Sequence, residues 1–535
     1  MPRALVALSA TLASLATACE ATPVATPSNR GDASTPSNGA IGISVVRLPE
    51  GTDPATVTVS VPFAPRELTD PAVVRVFNGP NELARNTSIL ARWNDGSVRA
   101  LLVGFPAPLR LETPTTLTLD SGGGTAKLLP GAPDAARGKS LRAFASGERW
   151  STTGALGIAF SRADAGAFAP TFFRRAAPVF QTVANPPSGD DARPHVRNYY
   201  DHLHALYSHM LALEATADLV GRIDGEVTKY RETEILHTGG ARGTYSAAPD
   251  TESTTPIDFN IVRRMYSLGL VEDYLMCGDA RSLEVAKEIA DALLIDVPTQ
   301  TPYYHHTERI PAWTILGLLP VFEVTGDARY LNAAKSVGEL ALAHQEAMAA
   351  KYPNQAGVTG LSGAFVQDRR GAWFDDSESS ASGAGSPFMT TLLIEALVRL
   401  YRDTDDVRYL DSATKAARWI SLGCFVDAND GATVFTDDPD PSSHDDASLH
   451  HASFRYVCRA SDNRTALPAL NPMFAFALGV GWQRTGDEHF RTVAHAALGF
   501  DGWGYTIKEY NQSMRSAAQG FLLLDRAAGS LLPKR

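Results

Sequence analysis

The sequence predicts a multidomain α+β fold, in which an N-terminal β-sandwich or barrel domain precedes an α/α toroid of five to six helical hairpins. Short alternating runs rich in β-branched residues occupy residues 41–130, and a repeated helical plan occupies residues 191–535. Residues 131–190 between them are expected to add strands and a linker. A chain of 535 residues is also too long for one hydrophobic core, so several domains are expected.

The β domain is predicted from alternation with a period of two. The runs ATVTVSVPF, AVVRVF, SILARW, SVRALLVGF and TTLTLDSG alternate apolar and polar residues, with turn residues between them. Asn94, Asp95 and Gly96 separate two of these runs and are typical of a tight hairpin turn. Within residues 131–190, ALGIAFSRADAG and APVFQTVA are the candidates for additional strands.

The helical part is predicted from an internal repeat. The repeated segments are MCGDARSLEVAKEIADALL, VTGDARYLNAAKSVGELAL, DTDDVRYLDSATKAARWI and RTGDEHFRTVAHAALGF. In each, a Gly-Asp-type turn precedes a helix that is apolar on one face, as Leu331, Ala334, Val337 and Leu340 illustrate. Each turn follows a helix that is apolar all round, such as AWTILGLLPVFEV. This alternation is what a double ring of buried inner helices and half-exposed outer helices requires.

The N-terminus predicts export. Arg3 precedes ALVALSATLASLATA, an apolar run too short and too rich in alanine for a stable membrane span. LATAC resembles a bacterial lipoprotein processing site, so residues 1–19 are predicted as a signal peptide with lipidation at Cys19, and ordinary secretion is the alternative. Residues 20–40 are rich in Ser, Thr and Pro and are predicted to be a disordered tether. The expected location is periplasmic or at the outer membrane or cell surface, otherwise secreted.

The net charge limits the classes of partner, and the cysteines bear on whether a disulfide forms. A net charge of -11 argues against nucleic acid, because phosphate binding needs a basic surface. An acidic substrate would therefore have to meet local positive charge. Cys424 and Cys458 could pair in an oxidising compartment, although buried free thiols fit the sequence equally. The chain is expected to be a monomer that touches a membrane only through its lipid anchor.

Polar and aromatic residues concentrate in the segments that lead into the inner helices. In a ring of hairpins, these longer connections gather at one end and the short Gly-Asp turns at the other. The lead-in segments are RPHVRNYYDH, TTPIDFN, TPYYHHTERIPAW, GAWFDDSESSASGAGSP, HDDASLHHASFRYVCRASDNR and WGYTIKEYNQ. Aromatic rings stack on sugar rings, and arginine and carboxylate groups bind hydroxyls and carboxylates. The sequence therefore predicts a cleft for a polysaccharide or oligosaccharide substrate.

Two phrases of the β domain add a family resemblance. VPFAPRELTDPAVVRVFNG and SILARWNDGSVRALLVGF, followed by the helical repeat, resemble the exo-rhamnogalacturonan lyase family. The repeat itself is similar to the six-hairpin glycosidase and polysaccharide lyase superfamily. The resemblance implies β-elimination on a uronate-containing, pectin-like or rhamnogalacturonan-like glycan. That family usually has a further β domain, for which only residues 131–190 are available here, so its catalytic residues are not carried over position by position.

A lyase needs a base for the C5 proton of a uronate and positive charge opposite its carboxylate. The predicted catalytic residues are His305, His306, Arg309, Tyr200 and Glu308. The predicted substrate-binding residues are Arg197, Tyr199, Tyr304, Trp313, Trp373, Asp375, Asp376 and Arg455. Only one of the two adjacent histidines is expected to face the cleft. The sequence establishes no cofactor, and a divalent cation such as calcium is the candidate that could neutralise the carboxylate instead.

Two other functions stay open from the residues alone. A glycoside hydrolase needs two carboxylates about 5–5.5 Å apart for retention or about 6.5–9.5 Å apart for inversion. The available carboxylates are Glu308, Asp375, Asp376, Glu378, Asp201 and Asp258. A non-catalytic, surface glycan-binding lipoprotein would keep the aromatic residues and dispense with proton-transfer groups. His444, His450 and His451 lie near two aspartates, but this spacing alone does not establish a metal site.

Overall fold

The computed structural model describes most of the chain after residue 40. The described residues are 41–49, 52, 54–106, 117–120, 125–135, 137, 139–161, 164, 166–167, 194–213, 215–246, 259–300, 304, 307–367, 384–427, 452–458, 468–498 and 506–532. They form antiparallel strands followed by a long series of helices. The predicted mixed α and β fold class is confirmed.

Two antiparallel sheets form the β part. The strands are β1 (Ile41–Arg47), β2 (Thr56–Pro62), β3 (Arg75–Asn78), β4 (Asn81–Leu83), β5 (Asn86–Arg92), β6 (Val98–Pro106), β7 (Leu117–Asp120) and β8 (Leu141–Ala145). One sheet has the order β4-β3-β7-β1-β8, and the other has the order β2-β6-β5. Side chains such as Val59 and Val103 from one sheet and Val76 and Leu119 from the other share one buried core. The two sheets therefore pack as a small sandwich.

The β5–β6 hairpin turns where the sequence predicts it. Gly96 has a φ of 83°, which only glycine adopts at little cost, and the Asp95 carboxylate accepts a hydrogen bond from the Ser97 amide at 2.9 Å. Among the described residues of 131–190, strand β8 pairs with β1, although β8 lies in neither of the two predicted segments, and APVFQTVA (177–184) lies outside the described residues. The segment ALGIAF (155–160) is not a strand. It follows helix α1 (Gly147–Thr153), and Ala155 and Phe160 are buried in the helical core. Its apolar residues therefore serve to pack against helices and do not indicate a strand.

Buried helices alternate with half-exposed helices along the rest of the chain. In chain order they are α2 (Pro194–Arg197), α3 (His202–Leu213), α4 (Ala217–Lys229), α5 (Phe259–Val262), α6 (Leu268–Cys277), α7 (Ala280–Gln300), α8 (Arg309–Thr325), α9 (Ala328–Lys351), α10 (Pro387–Thr404), α11 (Val407–Trp419), α12 (Phe474–Thr485), α13 (Glu488–Leu498) and α14 (Ile507–Asp525). Two short antiparallel strands, β9 (Phe425–Val426) and β10 (Ser453–Phe454), pair between α11 and α12. The inner helices α3, α6, α8, α10, α12 and α14 are buried almost throughout, whereas the outer helices α4, α7, α9, α11 and α13 each have an exposed face.

The inner helices contact one another in a cyclic order. Helix α3 packs against α6, α6 against α8, α8 against α10, α10 against α12 and α12 against α14, and α14 packs back against α3. Outer helices lie between successive inner helices, as α7 does with α6 and α8. No helix in the described part of the chain is both long enough and apolar enough to span a membrane.

The Gly-Asp repeat has a local physical explanation. Gly278, Gly326 and Gly486 end inner helices with φ values of 71°, 70° and 69°, the left-handed conformation that favours glycine. The Gly326 amide donates to the carbonyl four residues earlier at 2.8 Å. The next residue, Asp327, accepts from a backbone amide at 3.0 Å and so caps the outer helix. In the third turn Asp405 takes the place of glycine with a φ of 58°.

A largely buried ionic network joins the β part to the helices. Arg137 donates to the carboxylates of Asp224 in α4 at 2.8 Å, Asp279 in the α6–α7 turn at 2.7 Å, and Asp273 in α6. Arg142 of β8 also donates to Asp224, at 2.7 Å. We call these five residues the Arg137 network. Its guanidinium groups meet carboxylates directly, so it fastens strands and helices together.

Candidate active site

The N-terminal ends of the inner helices bring together residues from distant lead-in segments. Arg309, the first residue of α8, donates a hydrogen bond to the hydroxyl of Tyr199, which lies just before α3 (2.5 Å). Asn511 of α14 donates to the backbone carbonyl of Tyr199 at 2.9 Å. The ammonium group of Lys508, also in α14, lies 5.6 Å from the centre of the Tyr199 ring. Tyr199 is therefore held where three inner helices begin.

Positive charge surrounds the Tyr199 hydroxyl. Burial by itself would raise the pKa of this tyrosine, but the charges of Arg309, Lys508, Arg263 and Arg264 outweigh burial and bring its pKa below the ordinary value. Nearby cations act in this way because they stabilise the ionised phenolate. A tyrosine that gives up its proton more readily is suited to act as a general base.

The pKa of the adjacent Tyr200 is shifted in the opposite direction. Its ring makes T-shaped contacts with the rings of Tyr199 and Trp313, at centroid distances of 4.6 and 5.5 Å. Burial, together with the negative charge that Tyr199 would carry, raises the pKa of Tyr200 well above its ordinary value. The pKa values of the two neighbouring tyrosines are thus shifted in opposite directions, because the cations contact Tyr199 while burial dominates at Tyr200.

A strained backbone turn presents the two tyrosines. Tyr200 and Asp201 have φ values of 65° and 61°, in the left-handed region that residues other than glycine rarely adopt. The Asp201 carboxylate accepts hydrogen bonds from the backbone amides of His204 and Gly269, both at 3.2 Å, and lies 3.7 Å from the Arg515 guanidinium. These contacts stabilise the turn. Such strain costs about 1–3 kcal/mol per residue and tends to occur where the direction of a side chain matters.

Glu308 precedes Arg309, and its carboxylate is directed towards the start of α10. It accepts hydrogen bonds from the Ser386 amide at 3.0 Å and from the Gln367 side chain at 2.5 Å. Burial raises the pKa of Glu308 to about 7, although these hydrogen bonds and the charge of Arg309 oppose the rise. Glu308 can therefore change its protonation near neutral pH while its contacts stabilise the beginning of α10.

A disulfide supports one side of the site. Cys424 and Cys458, whose pairing the sequence leaves open, are bonded, with Cα atoms 5.3 Å apart. Cys458 and Gly385 exchange backbone hydrogen bonds at 2.9 and 3.3 Å, which ties the bonded segment to the start of α10. Between these points, the Tyr456 ring stacks on Phe388 at 4.7 Å.

Two predicted substrate-binding residues are engaged by contacts within the protein. Arg197 is fully buried and pairs with the carboxylates of Glu226, at 2.8 Å, and Glu234. Trp313 is 2% exposed, and the Arg515 guanidinium lies over its ring at 4.7 Å. These contacts favour a role in supporting the lead-in segments over the predicted contact with substrate.

Two further predicted residues lie at the edges of the described site. Tyr304 lines a cavity of about 90 Å³ together with Glu308 and His344. Arg455 follows β10, and its amide donates to the Cys424 carbonyl at 2.9 Å. The other predicted residues lie outside the described residues: Cys19, Asp258, His305, His306, Trp373, Asp375, Asp376, Glu378, His444, His450 and His451.

Sequence reasoning missed three of the cations that lower the pKa of Tyr199. Arg263 and Arg264 lie between the TTPIDFN lead-in and the apolar helix α6, and two adjacent arginines at that point are the signal that could have found them. Lys508 belongs to the lead-in WGYTIKEYNQ but carries no distinctive pattern. Among the residues that the structure describes, no three His, Cys, Asp or Glu side chains are grouped as metal ligands would be.

The chain matches no known sequence family and no curated protein sequence. It is similar in structure to a sugar epimerase from a ruminal bacterium, at 11% identity and a TM-score of 0.38, over 56% of this chain and 74% of that one. A polysaccharide lyase is similar at 10% identity and a TM-score of 0.43, over 66% and 96%. A family 76 glycoside hydrolase from a bovine Bacteroides thetaiotaomicron strain is similar at 11% identity and a TM-score of 0.36, over 91% and 95%. Function has to be inferred from the residues of the site itself.

Proposed function

We propose that the protein is a polysaccharide lyase, which cleaves a uronate-containing glycan by β-elimination where Tyr199 meets Arg309. The observation that carries this proposal is the contact of Arg309 with the Tyr199 hydroxyl, beside three more cations that help to lower the pKa of Tyr199 although burial opposes the shift. Elimination from a uronate requires this combination of a base and positive charge opposite the carboxylate. A pectin-like or rhamnogalacturonan-like chain is the proposed substrate, in keeping with the resemblance of the β-domain phrases.

In the proposed reaction, the Tyr199 phenolate takes the C5 proton of the uronate. The electrons of the C5–H bond form the C4–C5 double bond, and the C4–O4 bond breaks with its electrons remaining on oxygen. Arg309 and the neighbouring cations stabilise the negative charge that develops on the carboxylate. The proton held by Tyr199 is then transferred to O4, so the step needs no further reactant.

The proposed architecture is consistent with this chemistry. The cyclic contacts of the inner helices support an α/α toroid, in which all the inner helices begin at one end. Helix N-termini carry partial positive charge, which favours an anionic ligand. Arg309 at the start of α8 and Lys508 at the start of α14 add full charges at the same end.

A glycoside hydrolase is less well supported by the described carboxylates. Asp201 is engaged by two backbone amides and by Arg515, and Glu308 is engaged by Ser386 and Gln367. Both carboxylates therefore hold the ends of inner helices, whereas a hydrolase needs two carboxylates facing one sugar. A binding protein would have no need of a tyrosine whose pKa is lowered by surrounding cations.

Export and lipidation remain part of the proposal. The pattern around Cys19 supports a lipoprotein signal peptide, and the following residues 20–40 support a tether. Labelling of growing cells with a fatty acid analogue would give a labelled wild-type protein and an unlabelled Cys19→Ala variant. Equal labelling of the two proteins would contradict lipidation at Cys19.

Product analysis tests the proposed reaction. Purified protein is incubated with polygalacturonate, with rhamnogalacturonan, and with a galactan that contains no uronate. A lyase forms an unsaturated end that absorbs ultraviolet light, a hydrolase forms only new reducing ends, and a binding protein releases nothing. Uronate polymers alone should give the unsaturated product.

The Tyr199→Phe variant tests the assignment of the base. It keeps the ring but removes the hydroxyl, so kcat should fall by about 100-fold or more. Tyr274→Phe is the matched control, because the Tyr274 hydroxyl donates to the Leu90 carbonyl in the β part at 2.8 Å, away from the site. Wild-type activity in Tyr199→Phe would contradict the assignment.

A further inference from the structure

A groove of about 930 Å³ lies at the C-terminal end of inner helix α8, opposite to the end that carries the candidate active site. Its walls are the β5–β6 hairpin, from Ile89 to Asp95, and the last turn of α8, from Phe322 to Gly326. Helix α8 has 17 residues, so at about 1.5 Å per residue the groove lies roughly 25 Å from Arg309 at the other end. We call this surface the turn-end groove, and it is separate from the candidate active site.

The floor of the turn-end groove is a buried ionic group. The Arg99 side chain is 3% exposed and donates to the Glu323 carboxylate at 3.2 Å and to the Glu323 carbonyl at 2.8 Å. Arg99 also donates to the Ala155 carbonyl, and Arg399 donates to Glu323 at 2.7 Å. These bonds fix the floor before any ligand arrives, which lowers the entropic cost of binding.

The rim adds an aromatic ring and exposed polar groups. Trp93 is partly exposed, and its indole N–H donates to the Phe63 carbonyl at 2.8 Å, which fixes the plane of the ring. Arg66 has an 88% exposed side chain and lies 3.8 Å from the Asp95 carboxylate. Arg92 is also exposed and donates to a backbone carbonyl in the hairpin.

The charges in the groove balance one another. The lining residues include the cations Arg66, Arg92 and Arg99 and the anions Asp95, Glu323 and Asp403. A polyanion would meet carboxylates as well as arginines, whereas a neutral ligand rich in hydroxyl groups can hydrogen-bond to both. The volume of the groove lies near the top of the usual range for a small-molecule site, which is about 300–1,000 Å³.

We infer that the turn-end groove binds a neutral oligosaccharide segment without cleaving it. The choice of ligand class rests on the proposed function, because a glycan that carries uronate at the active site can also carry neutral sugars elsewhere. The partly exposed indole offers a surface for sugar C–H groups, and the charged side chains offer donors and acceptors for hydroxyls. Binding at a second site would raise the effective concentration of substrate at the first.

Calorimetric titration tests this inference. The probes are galactotetraose, arabinotetraose and xylotetraose, which are neutral, and the protein is the Tyr199→Phe variant, so that no cleavage contributes heat. At least one probe should bind, and Trp93→Ala added to that background should weaken binding by about tenfold or more, since stacked aromatic contacts dominate such sites. Arg66→Asn should weaken binding less than Trp93→Ala does. Because the Arg66 side chain is highly exposed, this variant should keep the wild-type fold.

Arg484→Ala is the matched control for Arg66→Asn, because Arg484 is likewise an exposed arginine that lies close to an aspartate. Arg484 precedes a Gly-Asp turn and pairs with Asp411 at 3.0 Å. It should leave binding unchanged. The inference is overturned if none of the three tetrasaccharides binds, or if binding survives Trp93→Ala and Arg66→Asn but is lost in Arg309→Ala. Failure of the proposed function would appear separately, as the absence of an unsaturated product from the wild-type protein.

Discussion

Two regions of the protein are rich in buried arginine, and they differ in what the arginine faces. In the Arg137 network, the guanidinium group meets the carboxylates of Asp224, Asp273 and Asp279. At the candidate active site, Arg309 donates to the hydroxyl of Tyr199 and lowers its pKa. The first arrangement cancels charge and holds the chain together, whereas the second uses charge to change the chemistry of a neighbour. Under the proposed function, it is the acceptor, and not the arginine itself, that distinguishes the active site from a structural region.

The largest effect is expected in the structural region. Arg137→Ala would remove the guanidinium that three carboxylates share and leave the fully buried Asp273 without an arginine partner, and an uncompensated buried charge of this kind costs about 3–5 kcal/mol of folding stability. Urea unfolding measures the loss, and kcat per folded molecule should stay at the wild-type value. A fall in kcat without a loss of stability would reverse the proposed contrast between the two regions.

Arg309→Ala should give the opposite result. Removing this charge raises the pKa of Tyr199 and removes stabilisation of the developing carboxylate charge, so kcat/KM should fall by about 10²–10³-fold, as for loss of one preorganised electrostatic donor. Arg309→Lys keeps the charge and should recover part of the activity. Steady-state kinetics on the uronate polymer measures both variants, and unchanged kinetics in Arg309→Ala would remove Arg309 from the site.

Loss of the disulfide should have a smaller effect. Cys458→Ser opens a loop whose ends are 34 residues apart, and such a change costs about 2–4 kcal/mol. Activity should fall as well, because the bonded segment exchanges hydrogen bonds with Gly385 at the start of α10. Cys277→Ser is the control, since Cys277 is a buried free cysteine beside the Arg137 network, and it should keep wild-type kcat. Equal thermal stability of Cys458→Ser and wild type would contradict this expectation.

The same contrast explains which features could be predicted from the sequence. The alternation of inner and outer helices was predictable because its signals are local: an apolar run, a left-handed residue such as Gly326 and a capping Asp327. The β5–β6 hairpin was predictable for the same reason, because Gly96 and Asp95 determine the turn by themselves.

The electrostatics of the site depend on residues that are far apart in the chain. Tyr199 could be recognised as a candidate, but its lowered pKa depends on Arg263, Arg309 and Lys508, which only the packing of helices brings together. The left-handed turn at Tyr200 had no local signal, because neither it nor Asp201 is glycine. The turn was therefore visible only in the folded structure.

The smallest of these effects concerns Glu308, which lies between the catalytic and the structural roles. Burial raises its pKa from 4.5 to about 7, so the folded protein binds this proton more tightly than the unfolded chain does. Its contribution to stability is therefore fully present below pH 4.5 and is lost as pH rises through about 7. Between pH 5 and pH 7, the free energy of unfolding of the wild type should fall by about 2 kcal/mol relative to Glu308→Gln.

Glu308→Gln is a suitable reference, because an amide does not titrate and its oxygen can still accept the hydrogen bond from the Ser386 amide. Urea unfolding of the two proteins at several pH values measures the difference. If the difference stays constant from pH 5 to pH 7, Glu308 does not gain a proton in this range and acts only as an ionised group that stabilises the start of α10. If the difference appears and kcat of Glu308→Gln also stays at the wild-type value, Glu308 is a structural group, as the residues of the Arg137 network are. The proposed chemistry then depends on Tyr199 and Arg309.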